Sequence, residues 1–230
     1  FTGNKFEFRM VGSSFSLAGP NIVINTIVAD VLKRFADVLE KADDFNSAVH
    51  DLVVKTVREH KRIIFNGNSY SDEWKREAKR RGLSDLADTS EALPLFAGEK
   101  SVDLFERMGV MSKREVVTRT EIMLDNYCKS VAIEGLTAVE MVRRDIYPAV
   151  LNYVRTQCDA VAAKKILPGA NCATEEALAT ELSDLTDGMC TKAEELSQAL
   201  AEAKNVQGAA ELSAFYAHKD LPLMHEMRVI

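Results

Sequence analysis

LDNYCKSVAIEGLTAVEMVRRDIYPAV, residues 124–150, is the run on which the architecture turns. Leu124, Tyr127, Cys128, Val131, Ala138, Val139, Val142, Ile146 and Val150 recur at steps that line one face of an α-helix. Tyr153, Val154 and Val161 continue the stripe, so the spacing predicts one long helix that begins after Ser112 and ends at Pro168-Gly169. Pro148 interrupts it. A proline inside a helix removes a backbone donor and crowds the preceding turn, which predicts a kink or a split. The next pattern opens at Thr174, read as a cap, with Glu175 and Glu176 in the first turn where the helix dipole favours negative charge. Leu178, Leu182, Leu185, Met189, Leu196, Leu200 and Ala203 then step at nearly heptad spacing, so this helix is expected to pack along another at a shallow angle. Only a short turn joins the two, which makes an antiparallel pair the economical solution. Gly208 breaks the pattern before a shorter helix through Tyr216 and a final one after Asp220.

Upstream, Pro20 suits a first helical turn, and Ile24, Ile27, Val28, Val31, Phe35, Val38 and Leu39 form a stripe up to the Asp43-Asp44 break. A second helix carries Phe45, Val49, Leu52, Val53 and Val57, with His60 near its end. Asn66-Gly67-Asn68-Ser69 has turn chemistry, Ser71 is a predicted N-cap with Asp72 and Glu73 after it, and Gly82 is a predicted stop. Ser90, Gly98, Ser101 and Gly109 punctuate two shorter apolar pieces. At the start, Lys5, Glu7 and Arg9 alternate with Phe6, Phe8 and Met10, the period of a strand, and no partner strand is predicted elsewhere. A chain that opens on Phe1 with a strand almost at once reads as a fragment of a larger protein. The expected fold is mainly α, with long antiparallel helices forming a helical bundle after a short β-strand. The expected divisions are 1–65 for the strand with the first helices, 66–110 for a connector with short helices, and 111–230 for a C-terminal helical domain.

Composition narrows the function classes. With 230 residues, 47% apolar and 28% charged, the chain suffices for one large domain or two small ones. A net charge of -6 argues against a nucleic-acid surface, and the basic run Arg76, Lys79, Arg80 and Arg81 reads as a solvated helix face. No apolar stretch approaches the roughly 20 residues that span a bilayer, and no signal segment opens the chain, so the expected location is the cytoplasm, with no membrane partner. Cys128, Cys158, Cys172 and Cys190 lack the close pairs of zinc or redox motifs and are expected as free thiols, two of them buried. His50, His60, His218 and His225 show no metal-ligand spacing and are read as surface or capping residues. Glu134, Glu140 and Asp145 beside Arg143 and Arg144 read as an exposed salt-bridged face.

The Lys5-Phe6-Glu7-Phe8-Arg9 strand is different in kind. A carboxylate between two cations on one face can hold a divalent metal while the cations reach phosphate or carboxylate oxygens, as phosphoryl transfer from ATP demands. A half-exposed strand with a solvated charge ladder shows the same alternation, and the residues alone leave both readings open.

The segment Gly3-Asn4-Lys5-Phe6-Glu7-Phe8-Arg9-Met10-Val11-Gly12-Ser13-Ser14, continuing to Pro20-Asn21 and the helix from Ile22 to Leu32, resembles the late part of the catalytic domain of glutamine synthetases. There a basic-x-Glu-x-Arg strand leads through a loop to a helix opening near an asparagine and a proline. Together with Asn66-Gly67-Asn68-Ser69-Tyr70-Ser71-Asp72-Glu73-Trp74 and the long helical tail, the chain is similar to the C-terminal portion of the type III glutamine synthetases, large bacterial enzymes with an added helical region. The resemblance implies that the strand is a remnant of the catalytic domain. It implies Glu7 as a ligand of Mg2+ or Mn2+ near the ATP phosphates, Arg9 as a contact to glutamate or the transferred phosphoryl group, and Lys5 as a group near the nucleotide phosphates. Lys5 stands where many relatives have arginine, a departure that removes the bidentate geometry. The implied reaction of the intact enzyme is ATP-dependent ligation of ammonia to glutamate through γ-glutamyl phosphate. The implied partners are the rest of the synthetase chain and neighbouring subunits of a homo-oligomer. The fragment alone is expected to be inactive and to bind neither metal nor ATP. The competing reading is a non-enzymatic helical scaffold that binds a partner protein.

Overall fold

The predicted long helix forms, and it divides where Pro148 requires. The computed structural model describes residues 15–230, and no strand occurs among them. The expected strand at Lys5–Met10 lies outside the described residues, so the architecture rests on helices: α1 (Ala18–Leu39), α2 (Phe45–His60), α3 (Asp72–Arg80), α4 (Thr89–Phe96), α5 (Glu99–Arg107), α6 (Lys113–Met141), α7 (Tyr147–Lys164), α8 (Ala173–Ala203), α9 (Ala209–Phe215) and α10 (Leu221–Val229). They fall into two compact units. Of the described residues, one takes in 15–86 together with Phe96–Val116; the other takes in Ala87–Leu95 and Val117–Ile230.

In the first unit local chemistry sets the helix ends. The Asp44 carboxylate accepts from the backbone N–H groups of Asn46 and Ser47 at 3.1 and 3.3 Å and so caps α2. Ser71 caps α3 by accepting from the Trp74 N–H at 3.4 Å. Gly82, at φ +70°, ends α3, with the Leu83 N–H returning to the Ala78 carbonyl at 3.0 Å. A side chain at that φ is strained, which is why glycine stands there. A small core joins Val102, Phe105, Met111 and Val116, with Val23 of α1 and Phe96 packed on it. Phe96 and Phe105 meet edge-on at 5.5 Å between centroids.

The α1 stripe is met only in part: Ile24, Val31, Phe35 and Leu39 are half-buried. Ile27, Val28 and Val38 are 46%, 48% and 50% exposed, and the buried residues of the helix are Thr26 and Asp30. The physical reason is an ion pair. Asp30 binds Arg107 of α5 at 2.8 Å and Arg34 at 3.1 Å, and this pins the polar side of α1 inward. The basic run of α3 is a solvated face only in part. Arg76, Lys79 and Arg80 are exposed, but Arg81 turns in to donate to the Ile64 carbonyl at 2.8 Å, with its guanidinium 5.8 Å from the Trp74 ring centre.

In the second unit α6 and α7 are separated by one π-helical turn, Val142–Ile146, and a second such turn, Tyr216–Asp220, lies between α9 and α10. Each π-turn is followed by a helix with proline at its second position, Pro148 or Pro222. The wider turn offers a way to accommodate each ring, because a regular α-helix would drive the proline against the carbonyl four residues back. The Tyr147 N–H bonds the Val142 carbonyl, and the Leu221 N–H bonds the Tyr216 carbonyl. α7 packs on α8, as does α10. Cys128, Val131, Val139, Leu196, Leu200, Ala203 and Tyr216 form the core. The cap of α8 differs from expectation: Cys172 holds the N-cap position, Asn171 accepts from the Ala173 N–H at 2.9 Å, and Thr174 lies inside the helix. Glu175 and Glu176 are in the first turn as read, paired with Lys164 and Lys165 at the end of α7.

Candidate functional site

Lys5, Glu7 and Arg9, the site residues read from the sequence, lie outside the described residues. Among residues 15–230, three places set polar or titratable groups in surroundings suited to chemistry.

The first is a groove of about 910 Å³ between α1 and α5, edged by Asp30, Lys33, Arg34, Asp37, Lys100 and Arg107. Asp30 is 7% exposed. The hydrogen bond from Arg107 holds its carboxyl below the usual range against the opposing effect of burial, with Arg34 adding to the pull. Four cations and two carboxylates give this groove a positive rim.

The second is in the second unit. Asp88 precedes α4 and caps it, its Oδ1 accepting from the Ser90 hydroxyl at 2.6 Å and the Glu91 N–H at 3.0 Å, while Glu91 Oε2 accepts from the Ala87 N–H at 3.0 Å. His218 reaches the same place from the π-turn. One potential ligand atom from each of Asp88, Glu91 and His218 lies within 4.8 Å of the others. His218 Nδ1 sits 2.8 Å from the Ala214 carbonyl. A carbonyl accepts only, so Nδ1 carries the proton in that bond, and in the neutral ring Nε2 is the nitrogen with the lone pair. Sequence spacing missed this meeting because more than a hundred residues separate Asp88 and Glu91 from His218. The legible signal was the cap pattern Asp88-Thr89-Ser90-Glu91.

The third is a single buried acid. Asp220 has no exposed surface, and neither carboxylate oxygen has a hydrogen-bond partner. Desolvation pushes its carboxyl up to about 6, with Lys219 opposing and Glu202 adding to the shift. Tyr127 Oη is likewise buried without a partner.

The remaining expectations resolve more simply. Arg144 pairs with Glu140 at 2.6 Å and Asp145 at 3.5 Å, and Arg143 reaches Glu194 of α8 at 2.6 Å, an exposed ion-paired face. All four cysteines are free thiols, with Cys128 and Cys172 buried, Cys190 half-buried and Cys158 exposed. No described helix is long and apolar enough to cross a membrane.

The model of the glutamine synthetase C-terminal domain matches residues 48–165. Over 232 residues the chain is 33% identical to a glutamine synthetase of Butyrivibrio fibrisolvens, an alignment covering 99% of this chain and 33% of that protein. It is 32% identical over 238 residues to a type-3 glutamine synthetase of Dictyostelium discoideum, covering 99% of this chain and 32% of the other. To a glutamine synthetase of Bacteroides fragilis it is 31% identical over 157 residues, 66% of this chain and 22% of the relative. The chain belongs to the glutamine synthetase C-terminal domain family, and the resemblance to type III synthetases drawn from its residues holds. It spans about a third of the length of the first two of these curated relatives.

Proposed function

We propose that the chain serves as the C-terminal part of a type III glutamine synthetase that joins ammonia to glutamate with ATP. The observation that carries this reading is the alignment of 99% of the chain with synthetases about three times as long. A second observation supports it: no apolar side chain of α1 or α2 is fully buried, and Ile27, Val28, Leu32, Phe45, Val53 and Val57 stand 46–60% exposed. Apolar surface of that extent fits a unit that packs on further polypeptide. In this reading residues 1–65 end the catalytic domain, 66–110 connect, and 111–230 form the helical domain that contributes subunit contacts in a homo-oligomer or shapes the active site.

Glu7 would hold Mg2+ or Mn2+, Arg9 would contact glutamate or the transferred phosphoryl group, and Lys5 would lie near the ATP phosphates. The enzyme works in the cytoplasm. The isolated chain makes no glutamine, because the other metal and substrate groups belong to sequence outside it. The exposed apolar surface equally suits a scaffold that binds a partner protein, and activity separates the two readings. In the full-length enzyme, Glu7→Gln and Arg9→Ala are expected to lower kcat for glutamine formation by about 100- to 1000-fold. Wild-type rates in both variants would reject the site, and glutamine formed by the isolated chain above a blank would reject its inactivity.

A further inference from the structure

We propose that Asp88, Glu91 and His218 form a zinc site that fastens residues 87–95 to the π-turn at Tyr216–Asp220 within the second unit. The donor set is one imidazole nitrogen and two carboxylate oxygens. That mixture suits a borderline cation such as Zn2+, whereas Mg2+ and Ca2+ favour oxygen alone.

The geometry brings the three ligands near one another before any metal arrives. Their ligand atoms lie within 4.8 Å of one another. Zinc bonds of about 2.0–2.2 Å in a tetrahedron place ligands roughly 3.4 Å apart. Glu91 and His218 are exposed and can rotate to close the difference, while Asp88 is half-buried and anchored. Asp88 and Glu91 engage Oδ1 and Oε2 in capping α4, which leaves the second oxygen of each carboxylate for the metal. The imidazole is held in the way metal-binding histidines usually are, with Nδ1–H donating to the Ala214 carbonyl at 2.8 Å, which makes Nε2 the nitrogen to bind the metal. A fourth position remains for water.

The consequence follows from chain order. Residues 87–95 belong to the second unit, although the chain on both sides of them belongs to the first. Within this short excursion Ser90 is buried, Asp88 and Leu93 are half-buried and the rest are exposed. One metal bridging Asp88 and Glu91 to His218 would close a loop of more than a hundred residues and tie the excursion down.

The test uses the chelator-treated 230-residue chain and Zn2+ alone, with Mg2+ as the comparison cation. Calorimetric titration is expected to give one zinc per chain and a rise in melting temperature, with Mg2+ giving neither. His218→Ala and Asp88→Asn are each expected to weaken zinc binding at least tenfold; asparagine caps a helix as well as aspartate, so the second variant keeps α4 intact. Substituted Co2+ is expected to show no sulfur-to-metal charge-transfer band, because no thiol is among the ligands. The absence of saturable zinc binding, unchanged affinity in both variants, or a thiolate band from one of the free cysteines would each overturn the proposal.

Discussion

Asp220 is a buried acid whose ionisation works against the folded second unit. It is fully buried, its oxygens have no partner, and desolvation raises its carboxyl from 3.8 to about 6. Because the folded pKa lies above the unfolded one, the folded state binds more protons between those values, and stability falls as pH rises through that window. Above about pH 6 the ionised carboxylate therefore costs roughly 2–3 kcal/mol relative to its neutral form. Asp220→Asn is expected to raise the melting temperature at pH 8 in chelator-containing buffer, with the gain shrinking toward pH 4. A variant less stable than wild type at pH 8 would mean that the carboxylate is solvated after all. In the sequence this residue looks like a helix boundary ahead of Leu221-Pro222, and nothing local marks it as buried.

At the scale of elements, α6 and α8 show how far a periodic stripe can be trusted. Leu196 is fully buried and Leu200 is 5% exposed, and Gly135 of α6 lets Leu200 approach so closely that an added Cβ would meet its methyl carbons at 3.2 and 3.3 Å. Leu196→Ala is expected to cost about 2–5 kcal/mol, through lost transfer energy and the cavity left behind. Ile133 lies on the other side of α6 at 64% exposure, and Ile133→Ser is expected to change stability by about 0.5 kcal/mol or less. Denaturant unfolding of the two variants measures the contrast, and equal losses would show that the exposed face of α6 is also packed in solution. Both leucines of α8 were legible from their spacing. The two π-turns were not, because a proline predicts that a helix must yield but not how it does so.

For the whole molecule, the two units should answer pH in opposite directions. In the first unit Glu77 accepts hydrogen bonds from Arg80 and Arg81, which hold its carboxyl down to about 2. A depressed folded pKa gives stability that is present above the unfolded value of about 4.5 and is lost as pH falls toward 2. Glu77→Gln is therefore expected to remove part of the acid sensitivity of the first unit between pH 4.5 and 2. The second unit gains as pH falls from 6 toward 4 through Asp220. Hydrogen exchange read separately over α3 and α10 distinguishes these responses, and an unchanged acid profile in Glu77→Gln would remove Glu77 from the account.

The helices, most of their ends and the break at Pro148 were readable in the residue order because periodicity, capping and proline chemistry act within a few residues. The family was readable for a similar reason, since its motifs are short and contiguous. Packing across the chain decided the rest. It buried Asp30 of α1 while Ile27, Val28 and Val38 of the stripe stayed exposed, because Arg107 from α5 supplies the charge that makes burial of the carboxylate tolerable. It turned Arg81 inward and set His218 beside Asp88 and Glu91, whereas the start of α8 at Cys172 rather than Thr174 is a local matter of Asn171 accepting from the Ala173 N–H. The meetings of Asp30 with Arg107 and of His218 with Asp88 and Glu91 join residues more than 70 apart, and no local pattern of polarity records which surfaces meet.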